Sequence, residues 1–202
     1  MVSPTPRLAT ASRQAEIVAA ALRLAQERSP ALVTTTDIAQ SVGVTQGALF
    51  KHFENKEAIW LAAMEWVREH LMQEIQAAAV ASPEPLQALH KVFDAHVGFV
   101  AHHPGVPRMI FHELQQPADS PLKESVRGLM KSYRQLLLSL IKQAIQAGQC
   151  APDLDAPAAA TLFVGIVQGL VMQSMLSGHV STLRSEAPRV FDLYLRSLRA
   201  PT

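Results

Sequence analysis

The 202-residue chain holds one cysteine, Cys150, so an internal disulfide is excluded and a reducing compartment is implied. Aromatic residues are scarce at 5%, and charged residues make up only 17%. The formal net charge is +1, so the molecule is no polycation. Any affinity for nucleic acid has to come from locally placed charges, doubled in a dimer. Met1 to Ser12 carries Pro4, Thr5, Pro6, Arg7 and Thr10 but no apolar run, and is not expected to act as a secretory signal. Long hydrophobic runs are nearly missing. The exception, Ala156 to Leu176, is interrupted by Thr161, Gln168, Gln173 and Ser174 and lacks a basic flank, so a membrane span is not expected. Nucleophile elbow, glycine-rich phosphate loop and paired catalytic carboxylates are all absent, which predicts neither an enzyme nor a cofactor. His96, His102, His103 and His112 lie close in sequence. None is four residues from another and no acid or cysteine completes a ligand set, so no metal is expected.

What is present is apolar residues, 49% of the chain, arranged at helical spacing. An all-α protein of about nine helices is predicted, with proline and glycine marking the breaks. The first helix is expected from after Ser12 to about Arg28, with Ile17, Ala21 and Leu24 on one face. The second starts near Thr35 or Thr36, where Thr34 and Asp37 form a capping box with a shortened acid. The third follows Thr45. Asn55 caps a long fourth helix that reaches about Ala81. Later helices are expected over Pro85–His103, Arg108–Gln115, Ser120–Ala147, Ala156–Ser177 and Leu183–Arg199, and the Pro104–Pro107 stretch is read as a break.

The segment from Thr36 to Lys56 carries the chemistry. Ile38, Val42, Val44, Leu49 and Phe53 have the spacing of a small shared core, and Ala39 is small where two helices must meet closely. Gly43 falls where the chain has to turn through a left-handed conformation. Two short helices joined this way form a helix-turn-helix, whose second helix enters the major groove. The expected DNA contacts are Thr45, Gln46, Gly47 and Ala48, with Thr36 of the helix before. Gln46 can pair with adenine, while threonine and alanine methyls can meet thymine. Phe50, Lys51 and His52 lie nearer the phosphates. Lys56 begins the fourth helix, where backbone N–H groups also favour a phosphate. Arg7 and Arg13 are expected to add contacts from the N-terminal arm.

These residues resemble the tetracycline-repressor (TetR) family over about Arg13 to Met64. The matching pieces are Thr35-Thr36-Asp37-Ile38-Ala39, Gly43-Val44-Thr45, Gly47-Ala48-Leu49-Phe50, His52-Phe53 and Asn55-Lys56-Glu57. One departure stands out: the family usually has tyrosine where this chain has Phe50. The resemblance implies a DNA-binding domain over residues 1–56 and a helical effector-binding and dimerisation domain over 57–202. It also implies a small apolar effector held among the body helices, for which Trp66, Phe93, Val97, Met109, Tyr133, Phe163 and Gln168 are the candidate contacts.

The helix from Ala156 is apolar nearly all round and needs partners on both sides. Gly165 and Gly169 would let a partner backbone come close. With Val190, Leu193, Tyr194 and Leu198 of the last helix, it can form a four-helix seam between two copies. The expected function is a homodimeric repressor released from a DNA operator by a small molecule, located in the cytoplasm. The alternatives are an effector-independent regulator, or an enzyme built on the helical body.

Overall fold

The computed structural model describes residues 6–199, with side-chain environments from Thr10 onward. Among the described residues there are nine α-helices, one 3-10 turn and no strand. In chain order the helices are α1 (Pro6–Glu27), α2 (Thr35–Ser41), α3 (Gln46–Leu49), α4 (Lys56–Val80), α5 (Pro85–His102), α6 (Gly105–Leu114), α7 (Pro121–Gln146), α8 (Ala156–Ser177) and α9 (Val180–Leu198). The 3-10 turn, Pro30–Leu32, leads from α1 to α2.

Most element boundaries follow local chemistry. Asn55 Oδ1 accepts from the Ala58 N–H at 2.8 Å and caps α4. Ser120 and Asp155 do the same for α7 and α8, accepting from Lys123 and Ala158 at 3.0 Å each. Gly178, at φ 74°, turns the chain out of α8. Three starts depart from expectation. Helix α1 begins at Pro6 rather than after Ser12, because proline suits the first helical position, where its missing N–H costs no hydrogen bond. Helix α6 likewise begins at Gly105: Pro104 and Pro107 flank its first turn, where they are tolerated, instead of breaking it. Helix α9 starts at Val180, three residues before the expected Leu183.

The chain folds into two compact units. The first combines Met1–Arg68 with His103–Val126. Its core takes Ile17, Val18, Ala21 and Ala25 from α1, Ile38 and Ala39 from α2, Leu49 from α3, and Phe53 beyond it. Val106 and Met109 of α6 are buried as well. Helix α6 seats on α1 at Gly105, where a Cβ would stand 1.9 Å from the Leu22 carbonyl oxygen. No side chain fits there.

The second unit combines Glu69–His102 with Arg127–Thr202. Its centre is aromatic. Phe93 stacks on Phe191 with centroids 4.0 Å apart, and Phe163 turns its edge toward Phe93, Tyr133, Phe191 and Tyr194 at 5.6–6.1 Å. Such edge-to-face pairs add to the area they bury. The Tyr194 hydroxyl donates to the Ala159 carbonyl at 3.0 Å, tying α9 to α8. Tyr133 and His96 satisfy each other through a 3.1 Å hydrogen bond between hydroxyl and Nδ1. Burial pushes the His96 imidazole down to about 4, so it is neutral near pH 7.

Candidate nucleic-acid interface

Helices α2 and α3 are short, and side-chain caps hold both. Thr34 Oγ1 accepts from the Asp37 N–H at 3.1 Å, and the Asp37 carboxylate accepts from the Thr34 N–H at 2.8 Å. This is the reciprocal box expected from the sequence. These hydrogen bonds from Thr34, with the Arg28 guanidinium 3.2 Å away, hold the Asp37 carboxyl below its usual range. Gly43 sits at φ 70°, the left-handed conformation that the turn requires. Thr45 Oγ1 then accepts from the Ala48 N–H at 3.1 Å and caps α3. A single regular turn, Gln46–Leu49, remains between that cap and the bend leading to α4.

Of the expected core, Ile38, Leu49 and Phe53 are buried, while Val42 and Val44 are half-buried. The expected DNA contacts differ in exposure. Thr36, Thr45, Gln46, Gly47, Phe50 and Lys51 are exposed, Phe50 to 44%. Ala48 is half-buried on the same turn. His52 is half-buried with Nδ1 turned inward and unpartnered, and its carbonyl accepts from Gln14 at 3.1 Å. The Lys56 ammonium donates to the Ala31 carbonyl at 3.1 Å, which bridges α4 to the 3-10 turn. Arg13 pairs with Glu16 at 2.6 Å. The side chain of Arg7, the other expected arm contact, lies outside the described residues.

Gln46 is not a loose surface side chain. Its Nε2 donates to Thr35 Oγ1 at 2.7 Å, across from α3 to α2. The Thr34-Thr35-Thr36 run therefore divides its work: Thr34 caps, Thr35 holds Gln46 and Thr36 is exposed. The sequence shows a threonine run there, but the pairing across the turn appears only in three dimensions.

The expected effector contacts divide between the two units. Phe93, Val97, Tyr133 and Phe163 are buried in the second unit, three of them in its aromatic cluster. Trp66 and Met109 belong to the first unit. Gln168 is exposed on α8, away from that cluster. The first unit holds a cavity of about 450 Å³, within the range of small-molecule sites. Trp60, Leu61, Met109 and Leu122 supply apolar walls, and Glu57 and His112 supply polar ones. Only Met109 was expected. The others come from the ends of α4, α6 and α7, and their convergence depends on tertiary packing that periodicity does not reveal. Of the remaining histidines of the cluster, His102 Nδ1 pairs with the Gly98 carbonyl at 2.7 Å, and His103 meets Trp66 edge-on.

One face of α8 is exposed and apolar. Leu162 (51%), Met172 (44%) and Leu176 (73%) line it, and a Cβ built on Gly165 or Gly169 would meet nothing within 4 Å. Leu193 of α9 is 60% exposed as well. Helix α8 is long and apolar enough to cross a membrane by length and composition, yet it buries Phe163, Val167, Leu170 and Val171 inside the second unit.

A capped helix-turn-helix near the N-terminus, joined to a larger helical body, defines a DNA-binding regulator. Two family models bear on the chain: "Bacterial regulatory proteins, tetR family" matches residues 17–63, and "Tetracyclin repressor-like, C-terminal domain" matches residues 113–187. Together they span more than half of it, and the chain belongs to the TetR family of transcriptional regulators. It is 26% identical over 144 residues to the HTH-type transcriptional repressor KstR2 of Mycobacterium tuberculosis, covering 71% of this chain and 72% of that one. Its fold matches the fatty acid degradation regulator FadR of Bacillus halodurans with a TM-score of 0.82 at 20% identity, over 99% and 100% of the two chains. FadR of Bacillus subtilis, solved with stearoyl-CoA, matches with a TM-score of 0.77 at 20% identity, over 89% and 96%.

Proposed function

We propose that this protein is a cytoplasmic homodimeric repressor that reads a two-part DNA operator and leaves it on binding a small apolar effector. The observation that carries the reading is the capped turn α3 with the bend after it, which expose Gln46 and Gly47, and Lys51, respectively. Gln46 supplies base discrimination, Lys51 phosphate attraction, and Gly47 a place where DNA can approach the backbone. Lys56 adds a phosphate contact once its ammonium leaves the Ala31 carbonyl. The functional boundary falls at the head of α4, near residue 56. The exposed apolar face of α8, with Leu193 of α9, is the seam between two copies; pairing aligns two reading heads with half-sites about 34 Å apart.

The effector reading is supported by the cavity beside Met109 and by one structural neighbour solved in complex with stearoyl-CoA. The cavity touches the first turns of α4, and the Gly105 seat joins α6 to α1. A ligand there favours one head geometry over another and so shifts the population of DNA-competent dimers. Over the 25 residues of α4, a rod of about 37 Å, a small tilt moves its end by several ångströms.

The test compares wild type with the double variant Gln46→Ala, Lys51→Ala on the DNA flanking the protein's own gene. The variant is expected to bind at least tenfold more weakly with an unchanged melting temperature. Equal binding by the two proteins would place the interface elsewhere.

A further inference from the structure

We infer that Gln14 is a positioning residue for DNA binding: its amide, reaching across from α1, holds the bend after α3 that carries Phe50 and Lys51. The inference rests on the reading of α3 as the DNA-reading helix.

A helix of one turn is too short to fix its own direction, so both of its ends need anchors. The leading end of α3 has the Thr45 cap and the bond from Gln46 to Thr35 of α2. The far end runs into a bend where the N–H groups of Lys51, His52 and Phe53 fold back on the Ala48 and Leu49 carbonyls at 2.9–3.2 Å. Beneath it, Leu49 and Phe53 are buried. Apolar packing of that kind is non-directional and leaves the bend free to rock.

Carbonyls at the end of a helix lack partners within the helix and must find them elsewhere. The His52 carbonyl finds Gln14, whose Nε2 donates to it at 3.1 Å across 38 positions of chain. A carbonyl oxygen only accepts, so the amide nitrogen of Gln14 has to face it. Both residues are half-buried, which limits competition from water. The His52 ring does not do this work, since its buried Nδ1 has no partner among the described residues. Helix α1 secures α2 by separate ties, Arg28 to Asp37 at 3.2 Å and Arg23 to Ser41 Oγ at 2.6 Å. Gln14 extends that splint to the bend. Phe50 and Lys51, both exposed, lie just before the carbonyl that it holds. Without the bond the bend samples other orientations, and every DNA complex has to supply the missing order. The loss therefore falls equally on all sequences.

The experiment compares the full-length wild type with two variants. Gln14→Met keeps the length of the side chain but has no hydrogen to donate; Gln14→Glu, as a carboxylate, is likewise no donor. Amide exchange followed by NMR on the DNA-free proteins is expected to quicken about five- to tenfold at Lys51, His52 and Phe53 in both. The Ile38 amide of α2 should keep its wild-type rate, and the melting temperature should shift only slightly. On a duplex that wild type selects from a random pool, Gln14→Met should bind about tenfold more weakly, roughly threefold from each subunit. Single-base changes to that duplex should cost wild type and Gln14→Met equal factors. The inference is overturned if affinity falls while exchange at the bend stays unchanged, as a direct contact between Gln14 and DNA would give. Faster exchange with wild-type affinity overturns it too. A wild-type protein that enriches no sequence would instead remove the DNA-reading assignment, and this inference with it.

Discussion

Phe50 is 44% exposed beside the reading turn, and the resemblance to the family leads one to expect a tyrosine at this position. Restoring the hydroxyl with Phe50→Tyr is expected to add one hydrogen bond to a phosphate, worth about 1 kcal/mol or roughly fivefold in affinity. Fluorescence anisotropy on the selected duplex measures that gain; no gain would mean that this ring does not face the backbone of the DNA. Two glycines give a contrasting pair for stability. Gly105→Ala forces a Cβ against the Leu22 carbonyl and should cost roughly 1–3 kcal/mol in urea unfolding. Gly98→Ala, in an open helical position, should gain about 0.5–1 kcal/mol. His96 supplies a pH dependence. Its folded pKa, pushed by burial to about 4, lies below its unfolded value of 6.5, so the unfolded chain binds the extra proton first. The stability it contributes is full above pH 6.5 and is lost as pH falls from there toward 4, by roughly 2–3 kcal/mol. His96→Gln should flatten unfolding free energy across that window.

Helices themselves were readable from periodicity and caps, because each is fixed by residues next to it: Thr34 with Asp37, Thr45, Asn55 and Asp155 all act within three positions. Starts differ where Ser12 reads as a cap although α1 already opens at Pro6, and where Pro104–Pro107 reads as a break although Pro107 lies in the first turn of α6, where its missing N–H is harmless. The reading turn was legible as a motif but not in its detail. The Thr35–Gln46 and Lys56–Ala31 bonds join residues 11 and 25 positions apart, beyond any local pattern. The cavity was less legible still, since its walls come from three helix ends whose individual residues look like ordinary core. At this scale α3 depends heavily on its cap. Thr45→Ala removes the acceptor for the Ala48 N–H and should cost about 1 kcal/mol. DNA affinity should fall at least tenfold while the cooperative melting transition shifts only slightly, which circular dichroism and anisotropy together would detect.

For the whole molecule, the net charge of +1 and the single turn of α3 put the weight of the proposed DNA affinity on pairing. In the proposed dimer, pairing covers the exposed row of Leu162, Met172 and Leu176. Leu162→Glu combined with Met172→Glu should yield a folded monomer by sedimentation equilibrium, with operator affinity reduced at least a hundredfold. In the cavity, Leu61→Trp should leave DNA binding intact and abolish the thermal stabilisation produced by apolar effector candidates. The most direct test of the central claim is a titration of purified protein onto the duplex flanking its own gene, repeated from 50 to 200 mM salt. Two chains per duplex are expected, with sequence-selective binding that weakens steeply as salt rises. Binding that ignores sequence and salt, or none at all, would contradict it.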